Sequence, residues 1–339
     1  MTLACRSLVA FLAVAAAGAW RAPCGRADEP AAIVARVGAT TITAAQLEAA
    51  LRRGNGAALP AGPQRQQAEA AALEQLVEAA LLEQFVAKAA ITADPAAVEA
   101  EMGKLQKQII GRGGTFAAFL AQTGRDEATF RGQVALEIAV RQLVTQRLTP
   151  QAVAGYFENH RRELDGTLVR VSHVVLRPDL GRGEAAVEEC LARAAAIRGR
   201  ILQGEMTFAE AARVHSAGPS RRRGGDVGYL PRHSVAHEEF AKQAFALAKG
   251  DISQPFVTPF GVHLVQVTDV QPGDRTLVSL RPQIEQVMAQ QIVRDALAEA
   301  RRDAPVEIMP GVPHFDPKKP ADGSQPGRVI IVAEPVAQP

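Results

Sequence analysis

Cysteine is scarce in this chain. Only Cys5, Cys24 and Cys190 occur in 339 residues. Two of the three lie within the first 27 residues, so a disulfide scaffold is excluded for the remainder. Cys190 stands alone among Ala and Leu on a helical stretch and reads as a small core residue, not a nucleophile. Aromatics are also few, at 4% of an Ala-rich composition that is otherwise ordinary for a globular protein. An excess of positive charge is missing too. Three of the 38 basic residues, Arg6, Arg21 and Arg26, fall in residues 1–27, which hold no acid, and the other 35 face 36 Asp+Glu. That balance does not favour nucleic acid or another polyanion. No P-loop, dinucleotide fingerprint or Ser-His-Asp arrangement is visible. His233 and His237 are four apart, but no third ligand follows at a telling distance, so neither a metal nor a cofactor is expected.

One apolar run does exist. Leu8 to Ala19 follows Arg6 and precedes Gly25-Arg26-Ala27. It is short for a permanent span and reads as a signal peptide over 1–27, cleaved after Ala27. The expectation is an exported chain, periplasmic or extracytoplasmic. The alternative is a retained signal that keeps the protein near the membrane. A lipid anchor at Cys24 is disfavoured by Arg21 and Pro23. No other stretch is apolar enough to cross a bilayer.

The next part is helical. Ile33 to Gly38 reads as a short strand and turn, and Thr43 caps a helix with Gln46 as its capping-box partner. Leu73, Leu76, Val77, Leu81 and Phe85 recur at helical spacing over 64–90. Asp94-Pro95 and Thr149-Pro150 are cap-then-proline starts. Val98, Met102, Leu105 and Ile109 form one apolar stripe. Helices are expected over 115–122 and 126–148. Each amphipathic helix must bury its stripe against a neighbour, either in a plain bundle or around a groove for polypeptide.

A change of pattern follows. Leu168 to Leu176 is β-rich, helices follow over 184–203 and 236–248, and Thr207-Phe208-Ala209-Glu210 is a capping box. Two short strands then close the unit, which gives an order β-α-α-loop-α-β-β. A further amphipathic helix spans 279–303. The end of the chain is rich in Pro and Gly and is expected to be disordered.

Three phrases in this region carry chemistry: Ser172-His173-Val174-Val175-Leu176, Gly224-Gly225-Asp226-Val227-Gly228-Tyr229-Leu230, and Thr258-Pro259-Phe260-Gly261-Val262-His263-Leu264. Together, in this order, they resemble the parvulin family of peptidyl-prolyl isomerases. The resemblance implies an α+β domain with helices around a four-stranded antiparallel sheet. It places His173 and His263 on adjacent central strands under the substrate amide, in a hydrogen-bonded network with Ser216 and Thr258. It lines a proline pocket with Val227, Leu230, Val235, Phe240 and Phe260. Gly218 is a departure, because the best-studied members carry Cys or Asp near this position. Arg177 and Arg182 are too far apart to form the basic pair of phosphate-reading members. Arg221-Arg222-Arg223 reads as a solvated face.

The expected layout is a signal peptide (1–27), a helical chaperone-like domain (30–164), a parvulin-like domain (165–272), a helix packing back on the helical domain (276–304) and a disordered tail (310–339). It resembles the exported folding factors of the SurA and PrsA type. The implied function is prolyl isomerisation with chaperone activity toward unfolded exported polypeptides containing X-Pro bonds. The alternative, raised by Gly218, is a weak or inactive parvulin fold that only binds polypeptide.

Overall fold

The computed structural model describes residues 32–53, 58–234, 237–316 and 329–330. The signal peptide expected over 1–27, the pocket residue Val235 and most of the Pro-rich end lie outside the described residues. Two compact units emerge. The first comprises the described residues up to Thr149 together with those from Glu285 onward, and the second those of Pro150–Ile284. Among the described residues no helix is long and apolar enough to cross a membrane.

The first unit opens with strands β1 (Ile33–Val37) and β2 (Thr40–Thr43). Helices α1 (Ala44–Arg53), α2 (Pro63–Lys88), α3 (Pro95–Gly111), α4 (Phe116–Thr123) and α5 (Glu127–Arg147) follow. Their starts are set by local capping. The Asp94 side chain accepts from the Ala96 N–H with Pro95 in the first turn, Thr115 accepts from Ala118, and Asp126 accepts from Thr129. Each such cap satisfies a donor that the helix itself leaves orphaned. Thr43 and Gln46 bond reciprocally at the start of α1. Val37, Leu73, Leu81 and Leu143 form the main core. A second cluster packs Val98, Met102, Phe130 and Val134 against the edges of Phe116 and Phe119.

The second unit begins with α6 (Pro150–Asn159) and α7 (Arg161–Leu164), which helical spacing alone groups with the preceding helices. The tie to the sheet domain is polar: Arg162 donates to the Leu247 carbonyl at 2.6 Å, and Arg232 pairs with Glu163 at 3.0 Å. Then come β3 (Leu168–Leu176), α8 (Glu184–Leu202), α9 (Phe208–His215), β4 (Asp226–Pro231), α10 (Glu238–Ala246), β5 (Phe256–Thr258) and β6 (Gly261–Gln271). The sheet is antiparallel with order β4-β3-β6-β5, so β3 and β6 are central. Residues Val174, Leu176, Val262 and Leu264 face α8 and α9, whereas Val169, Val171, Val265 and Val267 face α10. Two findings correct the sequence pattern. Periodicity reveals three strands, while β4 lies inside the Gly-rich phrase. The last strand is also not short but eleven residues long, because Val262 to Val267 is buried on both faces of the sheet.

The chain then continues into α11 (Leu277–Asp303) and β7 (Val306–Ile308). Ala296 and Ala300 of α11 enter the core of the first unit, Lys88 pairs with Asp303 at 2.7 Å, and Arg301 pairs with Glu74. β7 completes a three-stranded sheet of order β2-β1-β7, a pairing that helical patterning does not suggest. β8 (His314–Phe315) pairs with β9 (Val329–Ile330) inside the tail expected to be disordered. That expectation is corrected for those four residues, where Val329 and Ile330 open a β-branched run able to pair despite the neighbouring Pro and Gly.

The entry and exit of the sheet domain are clamped together. The Asp165 carboxylate accepts from the Thr167 N–H and hydroxyl at 2.8 and 2.6 Å. The Thr167 hydroxyl accepts from Gly273 N–H at 3.1 Å, and the Asp165 carbonyl accepts from Arg275 N–H. A Cβ on Gly273 would stand 2.1 Å from the Asp165 carbonyl oxygen. Gly273→Ala is therefore expected to lower the stability read from urea melts by about 1–3 kcal/mol, the usual cost of forced overpacking. Gly132→Ala, in an open helical position of α5, is expected to be neutral or stabilising by up to about 1 kcal/mol.

Candidate active site

The pairing of β3 with β6 brings the two histidines together. His263 stands opposite Val175, and His173 stands opposite Val265. Side chains alternate along a strand, so both rings point to the α10 face, where their centroids lie 6.0 Å apart. Phe240 from α10 meets both rings edge-on, at 5.8 Å from His173 and 5.7 Å from His263. Phe256 stacks on His263 at 5.6 Å and 21°. Val227 and Leu230 of β4 are half-buried in the same apolar cluster.

The hydrogen bonding differs from the expected network. Thr258 Oγ1 lies 2.8 Å from His263 Nε2 and accepts from Phe260 N–H at 3.1 Å. The Ser216 hydroxyl instead accepts from two backbone groups, Val175 N–H and Gly218 N–H, both at 3.2 Å. It acts as a staple between the α9 exit and β3, not as a partner of either ring. Among the described residues, neither nitrogen of His173, nor Nδ1 of His263, has a hydrogen-bond partner. Serine hydroxyls readily serve local backbone groups, which explains why residue type alone did not separate the two roles.

Of the expected pocket residues, Phe240 meets both rings, and Val227 and Leu230 pack in its apolar cluster. Phe260 does not: its side chain, at the tip of the β5–β6 hairpin, is 62% exposed, and only its backbone reaches the site. Two contributors were not anticipated. Phe256 shares the strand face of Thr258, and that two-residue spacing was the available signal. His237, just before α10, acts electrostatically on His263. Gly218, the departure noted in the sequence, lies against the His173 ring.

Both imidazoles are held neutral. Burial pushes the His173 pKa down. Burial first, then the neighbouring His173 and His237, pushes His263 down to about 4. Neutrality allows a count of hydrogens. A neutral imidazole has one N–H and a threonine one O–H. Their mutual bond uses one of these two hydrogens. The other is left as a donor, on Thr258 Oγ1 or on His263 Nδ1 according to the tautomer. His173 supplies one further N–H and one bare nitrogen. The site thus offers a few uncharged donors and acceptors in an aromatic, water-poor setting. Among the described residues no three His, Cys, Asp or Glu side chains converge as metal ligands do.

Residues 173–269 match the PPIC-type PPIase domain, and residues 4–144 match the SurA-like N-terminal domain. Among curated proteins, the chain is 39% identical over 110 residues to Chaperone SurA of Idiomarina loihiensis, covering 32% of this chain and 24% of that protein. It is 37% identical over 135 residues to Chaperone SurA of Alkalilimnicola ehrlichii, covering 39% of this chain and 30% of that protein. The matched part is therefore about a third or less of these relatives' own length. Among solved structures, a peptidylprolyl isomerase (PrsA) from Bacillus anthracis aligns over 68% of this chain and 96% of that chain, with 19% identity and a TM-score of 0.33.

The depressed histidines make stability depend on pH. An unfolded histidine takes up its proton near pH 6.5, whereas folded His263 does so only near 4. The unfolded state therefore binds more protons across that window. The histidine's contribution to stability is fully present above about pH 6.5 and is lost as pH falls toward 4. Urea melts at pH 7 and 4.5 are expected to show a smaller acid-induced drop for His263→Gln than for wild type, with His173 supplying part of what remains.

Proposed function

From a chain that joins a SurA-like N-terminal domain to a PPIC-type PPIase domain, as the SurA- and PrsA-like parvulin proteins do, we propose a peptidyl-prolyl cis-trans isomerase with chaperone activity. It acts on unfolded exported polypeptides that contain X-Pro bonds. The observation that carries this reading is the pair of neutral imidazoles on one face of the central strand pair, walled by Phe240 and Phe256.

Amide rotation is resisted by roughly 18–20 kcal/mol of barrier, and X-Pro exchange takes tens of seconds or more unaided. A planar amide is strongly dipolar, because nitrogen shares its lone pair with the carbonyl. As the bond twists, the carbonyl oxygen loses charge and nitrogen recovers its lone pair. An apolar wall that strips water from the carbonyl disfavours the planar form. An uncharged donor near the nitrogen favours the twisted one. Both effects act more strongly on the transition state than on either isomer, which is the requirement for catalysis. Phe240, Leu230 and Val227 would receive the proline ring. Thr258 and His263 would supply the donor from their shared pair of hydrogens. No nucleophile or cofactor is called for. Export is favoured by Arg6 and the apolar run Leu8–Ala19, and client binding by the likeness of the first unit to SurA-like N-terminal domains.

A protease-coupled prolyl-peptide assay tests the reading. Wild type is expected to accelerate isomerisation, and His173→Ala/His263→Ala to fall to the uncatalysed rate while still suppressing aggregation of an unfolded client. Equal rates for wild type and buffer would favour a binding-only chaperone instead. Thr258→Val keeps the side-chain shape and removes the hydroxyl. It is expected to lower kcat/KM about tenfold, equivalent to about 1.4 kcal/mol.

A further inference from the structure

The segment from Ser216 to Gly218 is fastened to β3 by hydrogen bonds to both backbone groups of Val175. Ser216 Oγ takes the Val175 N–H, Ala217 N–H donates to the Val175 carbonyl at 2.8 Å, and Gly218 N–H returns to Ser216 Oγ. The Gly218 carbonyl in turn accepts from Arg221 N–H at 3.2 Å. A Cβ at Gly218 would stand 2.9 Å from Val175 Cγ1, 3.2 Å from His173 Nε2 and 3.4 Å from Ser216 Oγ. The backbone at Gly218 has φ −81° and ψ 160°, a conformation open to any residue. Glycine is therefore not needed there for backbone freedom. What it provides is space, and that space is bounded by the ring of His173 and a stiff β-branched neighbour.

We propose that Gly218 is a positioning residue for His173: its bare α-carbon lets the stapled 216–218 backbone lie against the imidazole, and in this packing a side chain there presses on both Val175 and the ring. This rests on the isomerase reading only in assigning a catalytic consequence to ring position. The same contact keeps water from Nε2, consistent with burial being what lowers the His173 pKa. Among the described residues, burial alone accounts for the lowered His173 pKa. β6 presents His263 and α10 presents Phe240, with His237 preceding it and acting on His263. On β4 the Asp226 carboxylate is engaged by Arg170 at 2.7 Å. Residues 216–218 carry no titratable group.

The test follows the ring itself by histidine-selective NMR titration of the full chain, beside kcat/KM in the prolyl-peptide assay. In wild type the His173 midpoint is expected below the ordinary value of about 6.5. Gly218→Ala is expected to shift the His173 resonances and midpoint, to leave the His263 midpoint in place, and to lower kcat/KM by on the order of tenfold to a hundredfold. Gly218→Asp places a carboxylate at the ring. It is expected to raise the His173 midpoint by about a pH unit or more and to add a new inflection to the pH–rate profile. Wild-type resonances that titrate at the ordinary value would overturn the proposal, whatever the variants do. A Gly218→Ala protein with unchanged His173 midpoint and unchanged kcat/KM would overturn it too. A wild type without isomerase activity but with the expected His173 behaviour would end the isomerase reading and leave the positioning role standing.

Discussion

The pairing of β3 with β6 is the constraint on which the second unit depends. The two strands stay in register from Leu168 opposite Gln271 to Leu176 opposite Val262, with one irregularity between Arg170 and Val171. Both faces of this central pair are covered by helices. The side-chain period of a strand is two, so a slip of one residue would turn every side chain to the other face. It would push His263 among α8 and α9 and bring Leu264 and Val262 out of their packed cluster. Burial of aliphatic side chains on both faces therefore selects the one register that aims both imidazoles at Phe240.

That placement has an energetic cost, and the site's chemistry is built on it. Imidazole nitrogens buried without a protein partner each cost about 1–3 kcal/mol relative to satisfied ones. The surrounding packing offsets this cost: Phe240, Phe245 and Phe256 join Val169, Val171, Val265 and Val267 in one apolar cluster. The result is an apolar surface with neutral polar atoms. It suits a reaction in which no charge is created and only the dipole of an amide diminishes. Ionised side chains would be poorly matched to such a step. In this unit ionised side chains pair with one another away from the rings, Arg170 with Asp226 and Lys249 with Asp269.

Local signals in the chain were read well because their causes are local. Asp94-Pro95, Asp126 and Thr207 with Glu210 begin helices through bonds that span two or three residues. Amphipathic stripes such as Val98 and Met102 lie buried in the cluster that packs α3. The histidine phrases were legible only through resemblance, since a histidine in a strand carries no sign of what faces it. Long-range pairings were not legible in the residue pattern itself, and the pairing of β3 with β6 was expected only through resemblance. β7 finds β1 across most of the chain, and β4 hides in a Gly-rich run whose composition speaks for a loop.

By itself, then, the sequence determined where helices begin and which stripes must be buried, and resemblance alone singled out the two histidines. The tertiary structure alone decided that Thr258 and not Ser216 bonds a ring, that Phe256 completes the wall while Phe260 faces solvent, and that Gly218 touches His173. The reason is geometric. Capping and amphipathic spacing are settled within a turn or two of chain. A hydroxyl's partner, or the atom against which a bare α-carbon rests, is set by strands and loops that meet only once the sheet has closed.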